Sequence, residues 1–304
     1  MGNSSSDTSS EDDLRYFTRD IEEGPDLKVC QSILKFCSLS STDSLKQHYE
    51  KRRTRASDHA AKWIKDLAEK LGPFTNAPEL AGLGALAIAV LIDMVASTSS
   101  EEATIKALQS VFAEEKSSEV WNLIDECLKR YRMYIGDTTE LRRSIHRMED
   151  QLSTALTRLK NSILRDEHVT NQAVKVWVNG AAFHVQMLIH LVRLGGIQTC
   201  DPVERLIRDY KDDLEAVFEK HKMMIKKKCD TYFYSDPELG LGGIYFVDEK
   251  GRCREMSKGD FPKYYNAYYE ERYGKQEREI LKYFRDVERN LPELVQQRGS
   301  LYVY

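Results

Sequence analysis

The first six residues hold an arrangement that predicts a specific covalent modification. Met1 and Gly2 begin the chain, and Ser6 occupies the sixth position. This order matches the pattern M-G-x-x-x-[ST], in which removal of the methionine leaves the Gly2 amine to form an amide with a myristoyl group. The segment has neither the basic nor the apolar region of a secretory signal peptide. We therefore predict N-myristoylation of Gly2 and an intracellular, eukaryotic protein that is not secreted.

A basic stretch could supply a second membrane contact. One myristoyl chain binds a bilayer only weakly and reversibly, so stable binding needs another signal. Residues 45–65 carry a net charge of +5, and each base near anionic lipid adds about 1 kcal/mol of binding. The alternative is an ordinary solvated helix face. The predicted electrostatic patch consists of Lys46, Lys51, Arg52, Arg53 and Arg55.

An apolar stretch over residues 80–96, with the sequence LAGLGALAIAVLIDMVA, is another candidate for membrane contact. Its charge-free run covers 80–92 and is shorter than the roughly 20 residues that span a bilayer. Asp93 would also have to lie within the membrane, where a charge is costly. We expect a central core helix, with conditional insertion as the alternative. The apolar side chains in question are Leu80, Leu83, Leu86, Ile88, Val90 and Leu91.

Other residues with chemical potential match no known kind of site. The six cysteines include no C-x-x-C pair, the spacing that zinc sites commonly use. Gly82, Gly84 and Ala87 follow a dinucleotide-binding spacing, but no strand precedes them as that site requires. His184 and His190 lie six residues apart in an apolar segment, off a single helical face, and we expect core histidines. We predict no metal, cofactor or small-molecule substrate.

The charge balance argues against nucleic acid as a partner. The chain has 45 Lys and Arg against 49 Asp and Glu, a net charge of −4, whereas nucleic-acid binders are normally basic. Residues 1–26 alone carry a net charge of −6. We expect this segment to be a disordered acidic tail and residues 27–304 to form a helical domain.

The elements that must hold these residues are helices. Apolar residues recur at helical spacing along most of the chain, which predicts an all-α bundle of about eight to ten helices. Two segments, 80–96 and 171–194, are mostly apolar and should be central, where Asp93 and Arg193 could form an ion pair. Segments 243–248 and 252–256 flank a glycine turn and predict a small β-hairpin insertion.

These observations favour a non-enzymatic, N-myristoylated protein at the cytoplasmic face of a membrane. It would act as an interaction or signalling module, with an anionic membrane surface and an unidentified protein as partners. One alternative is a helical membrane-inserting protein, similar in behaviour to a pore former, that exposes residues 80–96 and 174–194. A second alternative is an enzyme of unknown type.

Overall fold

The computed structural model describes residues 5–53, 81–95, 104–112, 119–134, 137–165, 169–236, 241–257 and 259–297. A π-helical turn, Glu270–Gly274, joins the tenth helix to the eleventh. The strands are β1 (Asp230–Asp236), β2 (Leu241–Val247) and β3 (Cys253–Met256). The helices are α1 (Ser5–Thr18), α2 (Gln31–Phe36), α3 (Ser41–Arg53), α4 (Leu83–Val95), α5 (Thr104–Phe112), α6 (Glu119–Tyr134), α7 (Thr138–Arg165), α8 (Asn171–Arg193), α9 (Asp201–Lys227), α10 (Phe261–Tyr269), α11 (Lys275–Arg289) and α12 (Leu291–Gln296). The prediction of a mostly helical fold with a small β insertion is confirmed.

Local signals explain where the central helices begin and end. The Thr170 side chain caps α8 by accepting a hydrogen bond from the Ala173 N–H at 3.0 Å. Gly195 lies two residues beyond the end of the helix, and its φ of 69° is costly for residues with a Cβ. Pro202 stands in the first turn of α9, where a missing N–H costs nothing. These signals are readable in the sequence, and the predicted segment 171–194 agrees with the bounds of α8.

Helix α8 lies at the centre of the core. Its residues from Val174 to Leu191 are buried, except for Lys175. The helix packs against α4, α5, α6, α7, α9 and α12. A helix that is apolar on every side must be covered on every side, and here other helices provide that cover. The interpretation of residues 171–194 as a central core helix is confirmed.

The β insertion is a three-stranded antiparallel sheet with the order β1-β2-β3. The predicted hairpin corresponds to β2 and β3, in which Ile244 pairs with Met256 and Val247 with Cys253. The sequence prediction missed β1, which pairs with β2 from Asp230 opposite Val247 onward. Its threonine and aromatic residues favour strands, but the strand is short and directly follows the long helix α9.

The structure differs from the expectation of a disordered tail in the described part of residues 1–26. Residues 5–18 form α1, and Phe17 is 5% exposed. The Phe17 ring packs edge-on against Phe246 at 5.5 Å and Tyr264 at 4.8 Å between centroids. Further along, the Gly24 N–H donates to the Arg272 carbonyl at 2.8 Å. The aromatic anchor stabilises a segment whose composition is otherwise typical of disorder.

Candidate functional site

The two stretches that the sequence offers as membrane contacts pack against each other, as α3 and α4. Asp93, near the end of α4, accepts hydrogen bonds from His48 Nε2 at 2.9 Å and from Arg52 Nε at 2.8 Å. His48 and Arg52 lie four residues apart, so they share one face of α3. The backbone N–H of Thr104, at the start of α5, donates to the second carboxylate oxygen. Asp93 therefore connects three helices.

The Asp93 carboxylate is held in its charged form. Burial by itself would raise its pKa, because a charge is poorly solvated in the interior. The hydrogen bonds from His48 and Thr104 outweigh that effect, and the pKa of Asp93 lies below its ordinary value of 3.8. The side chain is 2% exposed and its partner Arg52 is 3% exposed. The sequence hypothesis of a pair with Arg193 is replaced by partners on α3, while Arg193 Nη2 donates to the Gln297 carbonyl at 2.6 Å.

The predicted electrostatic patch is divided by the face that each residue occupies on α3. Lys46 and Lys51 are exposed. The prediction of an exposed Arg52 is corrected by the structure. Arg52 lies on the inward face with the buried Leu45 and pairs with Asp93. The Arg53 side chain and Arg55 lie outside the described residues. Of the predicted patch, the described surface of α3 therefore presents Lys46 and Lys51.

The apolar stretch is a core helix in this structure. Leu83, Leu86, Ile88 and Val90 are each at most 1% exposed, and Leu91 is half-buried. Leu80 lies outside the described residues. Helix α4 packs against α2, α3, α5, α6 and α8. No helix in the described ranges is both long and apolar enough to cross a membrane.

The acylation site, Gly2, lies outside the described residues, but the segment after it is docked on the sheet. Helix α1 packs beside β3 and α10. The Ser257 hydroxyl donates to Asp13 Oδ2 at 2.7 Å, and Arg252 Nη1 lies 3.3 Å from Glu22 Oε2. These contacts set two acids of the N-terminal segment against groups of the sheet region. In this arrangement, Gly2 is three residues away from a helix that is joined to the domain.

The buried histidines have structural contacts rather than an exposed catalytic arrangement. His184 Nδ1 is 2.6 Å from the Tyr210 hydroxyl, and His184 Nε2 is 2.8 Å from Glu149 Oε1. Neither ring nitrogen of His190 has a hydrogen-bond partner, and its ring packs edge-on to Tyr131 at 5.3 Å. Burial lowers the pKa of His190 well below its ordinary 6.5, and the charge of Arg193 lowers it further.

Sequence reasoning missed two buried polar clusters, because each joins residues that are far apart in the chain. His221 on α9 is bonded to Tyr269 on α10 at 3.0 Å and to Asn171 at 2.6 Å, and burial lowers its pKa to about 4. Glu249, in the turn between β2 and β3, accepts from Arg272 Nε at 2.6 Å. Arg272 lies in the π-helical turn between α10 and α11, so its contact with Glu249 connects the sheet to the bundle. No local spacing in the sequence marks either cluster.

An apolar groove of about 290 Å³ opens between α2, α11 and α12. Burial raises the pKa of the Cys37 thiol to about 12, so it is protonated and a poor nucleophile at neutral pH. None of the described histidines lines the groove. No group of three potential metal ligands occurs in the part of the chain that the structure describes. The apolar lining of the groove includes Ile33, Leu34, Cys37, Tyr283, Val287 and Leu294.

The chain matches no protein-family model, no curated protein and no solved structure. Its function must therefore be argued from its own residues.

Proposed function

We propose that this protein is a non-enzymatic, N-myristoylated interaction module at the cytoplasmic face of a membrane. The observation that carries the proposal is the N-terminal motif, with Gly2 as acceptor and Ser6 at the required position. The docked helix α1 adds support, because it begins three residues after Gly2 and contacts the domain through Phe17. A bound acyl chain would thus keep the folded domain close to the bilayer.

The second contact in this proposal is electrostatic. Lys46 and Lys51 are exposed on α3, and Arg53 and Arg55 follow them in the sequence. Each base close to an anionic surface contributes about 1 kcal/mol, or roughly a fivefold change in affinity. The acids of the N-terminal segment oppose this attraction. Two of those acids have partners within the protein, since Asp13 accepts a hydrogen bond from Ser257 and Glu22 pairs with Arg252.

The first test is the intact mass of the full chain expressed in eukaryotic cells. Loss of Met1 with a gain of about 210 Da, the mass of a myristoyl group, is the expected result. Gly2→Ala should abolish the gain and shift the protein from the membrane fraction to the cytosol. Ser5→Ala is the matched control, since the motif places no demand on that position. An unmodified or acetylated wild-type terminus would overturn the proposal.

The electrostatic contact is tested with acylated protein and vesicles. Binding should be stronger when phosphatidylserine is added to phosphatidylcholine, and it should weaken as salt screens the charges. The double variant Lys46→Ala/Lys51→Ala should bind about 30-fold more weakly to the anionic vesicles. Lys227→Ala/Lys275→Ala removes the same charge from exposed positions elsewhere. Equal losses in both double variants would show that α3 is not the contact.

The membrane-inserting alternative is measured in the same vesicles by release of an enclosed dye. Of the two apolar helices, α4 is the better candidate for insertion, because its one acidic side chain, Asp93, is paired within a single cluster. Protonation of Asp93 removes the charge that would oppose entry into a bilayer. Dye release in acid would support insertion of residues 80–96. Intact vesicles at every pH and lipid composition would leave the peripheral module as the function.

A further inference from the structure

Strand β1 is the outer strand of the sheet among the described residues. The strand order is β1-β2-β3, and β1 pairs with β2 along its whole length, from Asp230 opposite Val247 to Asp236 opposite Leu241. No strand in the described residues pairs with the outer side of β1. At the other edge, β3 packs beside α1. An exposed edge of this kind carries unpaired backbone groups that can pair with another chain, and β1 contains neither lysine nor proline to prevent it.

The side chains of β1 are unusually apolar for an exposed strand. Tyr232 is 53% exposed, Phe233 is 70% exposed and Tyr234 is 41% exposed. Phe233 lies opposite Ile244 on the face that leads, at the base of the sheet, to the buried Phe246. The core-facing surface of the sheet therefore continues along the β1–β2 pair from the buried Phe246 to the exposed Phe233. Consecutive exposed aromatics at an open edge are typical of a binding surface.

The sequence of β1 indicates what binds at this edge. From residue 230 to residue 236 it reads Asp-Thr-Tyr-Phe-Tyr-Ser-Asp, which is symmetric about Phe233 in residue type, with serine standing for threonine. An antiparallel pair of two such strands therefore places like residues opposite each other. Phe233 faces Phe233 of the other copy, Tyr232 faces Tyr234, and Thr231 faces Ser235. Aromatic pairs and Thr–Ser pairs stabilise antiparallel sheets.

We propose that β1 is a homodimer interface. Two copies of this chain add their β1 strands antiparallel about a two-fold axis at Phe233 and form one continuous six-stranded sheet. The contact is isologous, because each strand meets the same strand of the other copy. It is also weak, since a single strand pair buries less area than a standard stable interface. The facing acids, Asp230 and Asp236, weaken it further at both ends.

A weak dimer of this kind suits a lipidated protein, and this consequence alone rests on the proposed function. One myristoyl chain binds reversibly, whereas two signals hold a protein stably on a membrane. The dimer would join two acylated Gly2 residues. Confinement to a surface would in turn raise the effective concentration of the partners. The dimer itself does not require acylation, so it is tested on the unmodified full chain.

The first experiment is sedimentation velocity of the unacylated protein over a wide range of concentrations. We expect a monomer–dimer equilibrium in the wild type. Phe233→Lys should abolish the dimer, because it puts two charges opposite each other at the axis. Asp230→Asn should lower the dimer Kd about 2- to 30-fold, since it removes two facing acid pairs. Both variants raise the net charge by one, so a general charge effect cannot explain opposite results. Circular dichroism checks that each variant is folded.

The second experiment tests the register by disulfide formation with oxidised glutathione as the oxidant. It uses Cys253→Ser as the parent, because Cys253 is the exposed cysteine among those described. Facing residues in an antiparallel pair have Cα atoms about 4.5–5.5 Å apart, within the range of a disulfide. Phe233→Cys should cross-link to itself. Thr231→Cys should not cross-link alone, but it should when mixed with Ser235→Cys.

Two results would overturn the proposal. One is a monomer at all concentrations, with Phe233→Cys cross-linking no faster than Thr231→Cys alone. The other is a monomeric protein whose binding to phosphatidylcholine and phosphatidylserine vesicles is lost in Phe233→Lys, which would make β1 a lipid contact. A dimer formed by protein that is never acylated in cells would uphold this interface and refute the proposed function instead.

Discussion

The two apolar helices of the bundle, α4 and α8, are attached to the rest of the protein in different ways. Helix α8 bonds through several polar side chains to several elements: Asn179 to the Cys30 N–H at 2.6 Å, His184 to Tyr210 on α9, and Gln186 to Tyr283 on α11 at 3.2 Å. Helix α4 has one buried acid, Asp93, which binds α3 and the start of α5. Among the described residues, the buried side-chain hydrogen bonds of α4 are therefore concentrated at the Asp93 carboxylate.

The two kinds of attachment indicate where the bundle can separate. Buried polar groups must be paired, so each one specifies a neighbour for its helix. Loss of one contact on α8 leaves the others in place. Loss of Asp93 removes the carboxylate that both Arg52 and His48 contact in the interior. If either apolar helix leaves the core, α4 is the one that requires fewer polar contacts to break.

The largest expected effect is that of Asp93→Ala. Removal of one member of a buried ion pair typically costs about 3–5 kcal/mol of unfolding free energy, since the remaining buried charge loses its oppositely charged neighbour. Urea denaturation measures the change. A triple variant with His48→Leu, Arg52→Met and Asp93→Leu should recover much of the loss, because no buried charge remains. A change of less than about 1 kcal/mol in Asp93→Ala would break the comparison between the helices.

A smaller effect is expected where α8 approaches its neighbours most closely. A Cβ at Gly180 would lie 2.6 Å from Leu156 Cδ2 and 2.8 Å from Val120 Cγ1. Overpacking of this kind costs about 1–3 kcal/mol, which we expect for Gly180→Val in thermal unfolding. Gly180→Ala should lose less, because alanine gains up to about 1 kcal/mol of helix propensity. A Gly180→Val protein as stable as the wild type would show that α8 is loosely held.

The two helices should also respond to different ranges of pH. The pKa of His190 on α8 is lowered by burial, so the unfolded chain binds a proton before the folded one. Stability is full above the ordinary pKa of 6.5 and falls with decreasing pH by about 1.4 kcal/mol per unit for this group. His221 contributes in the same way down to its pKa of about 4.

Asp93 has the opposite charge but the same sign of dependence. Because its folded pKa is lowered, its contribution is complete above 3.8 and is lost only as pH falls below that value. Urea denaturation between pH 8 and pH 3 should therefore show a weaker dependence of the unfolding free energy on pH in His190→Leu, whereas Asp93→Asn should change that dependence only below about pH 4. An unchanged slope in His190→Leu would contradict the assignment to this histidine.

The smallest effect on stability is expected on the exposed side of α3. Lys46→Ala and Lys51→Ala should each change the free energy of unfolding by less than about 0.5 kcal/mol, as is usual for exposed positions. Arg52→Ala, one residue from Lys51, should lower the free energy of unfolding by several kcal/mol, because it removes the arginine that pairs with the buried Asp93 carboxylate. Similar results at positions 51 and 52 would refute the division of α3 into an exposed and a buried face.

Much of the helical fold was predictable, but the buried face of α3 was not. The dense run of bases at Lys51, Arg52 and Arg53 looks uniform in sequence, and composition alone favours a solvated patch. Arg52 can be buried because it pairs with Asp93, which lies 41 residues further along the chain. The same holds for α1, whose acidic and serine-rich sequence indicates disorder, while Phe17 finds Phe246 and Tyr264 in the sheet region.

The helical segment 171–194, the β2–β3 hairpin and the acylation motif at Gly2 could all be predicted from the sequence. These features depend on caps, periodicity and turns within a few residues, or on a short linear pattern. The partners of Asp93, the pairing of Glu249 with Arg272 and the outer position of β1 in the described sheet became visible only in the tertiary structure. Each depends on which distant surfaces meet, and a buried charge or an edge strand can be recognised only once its neighbours are known.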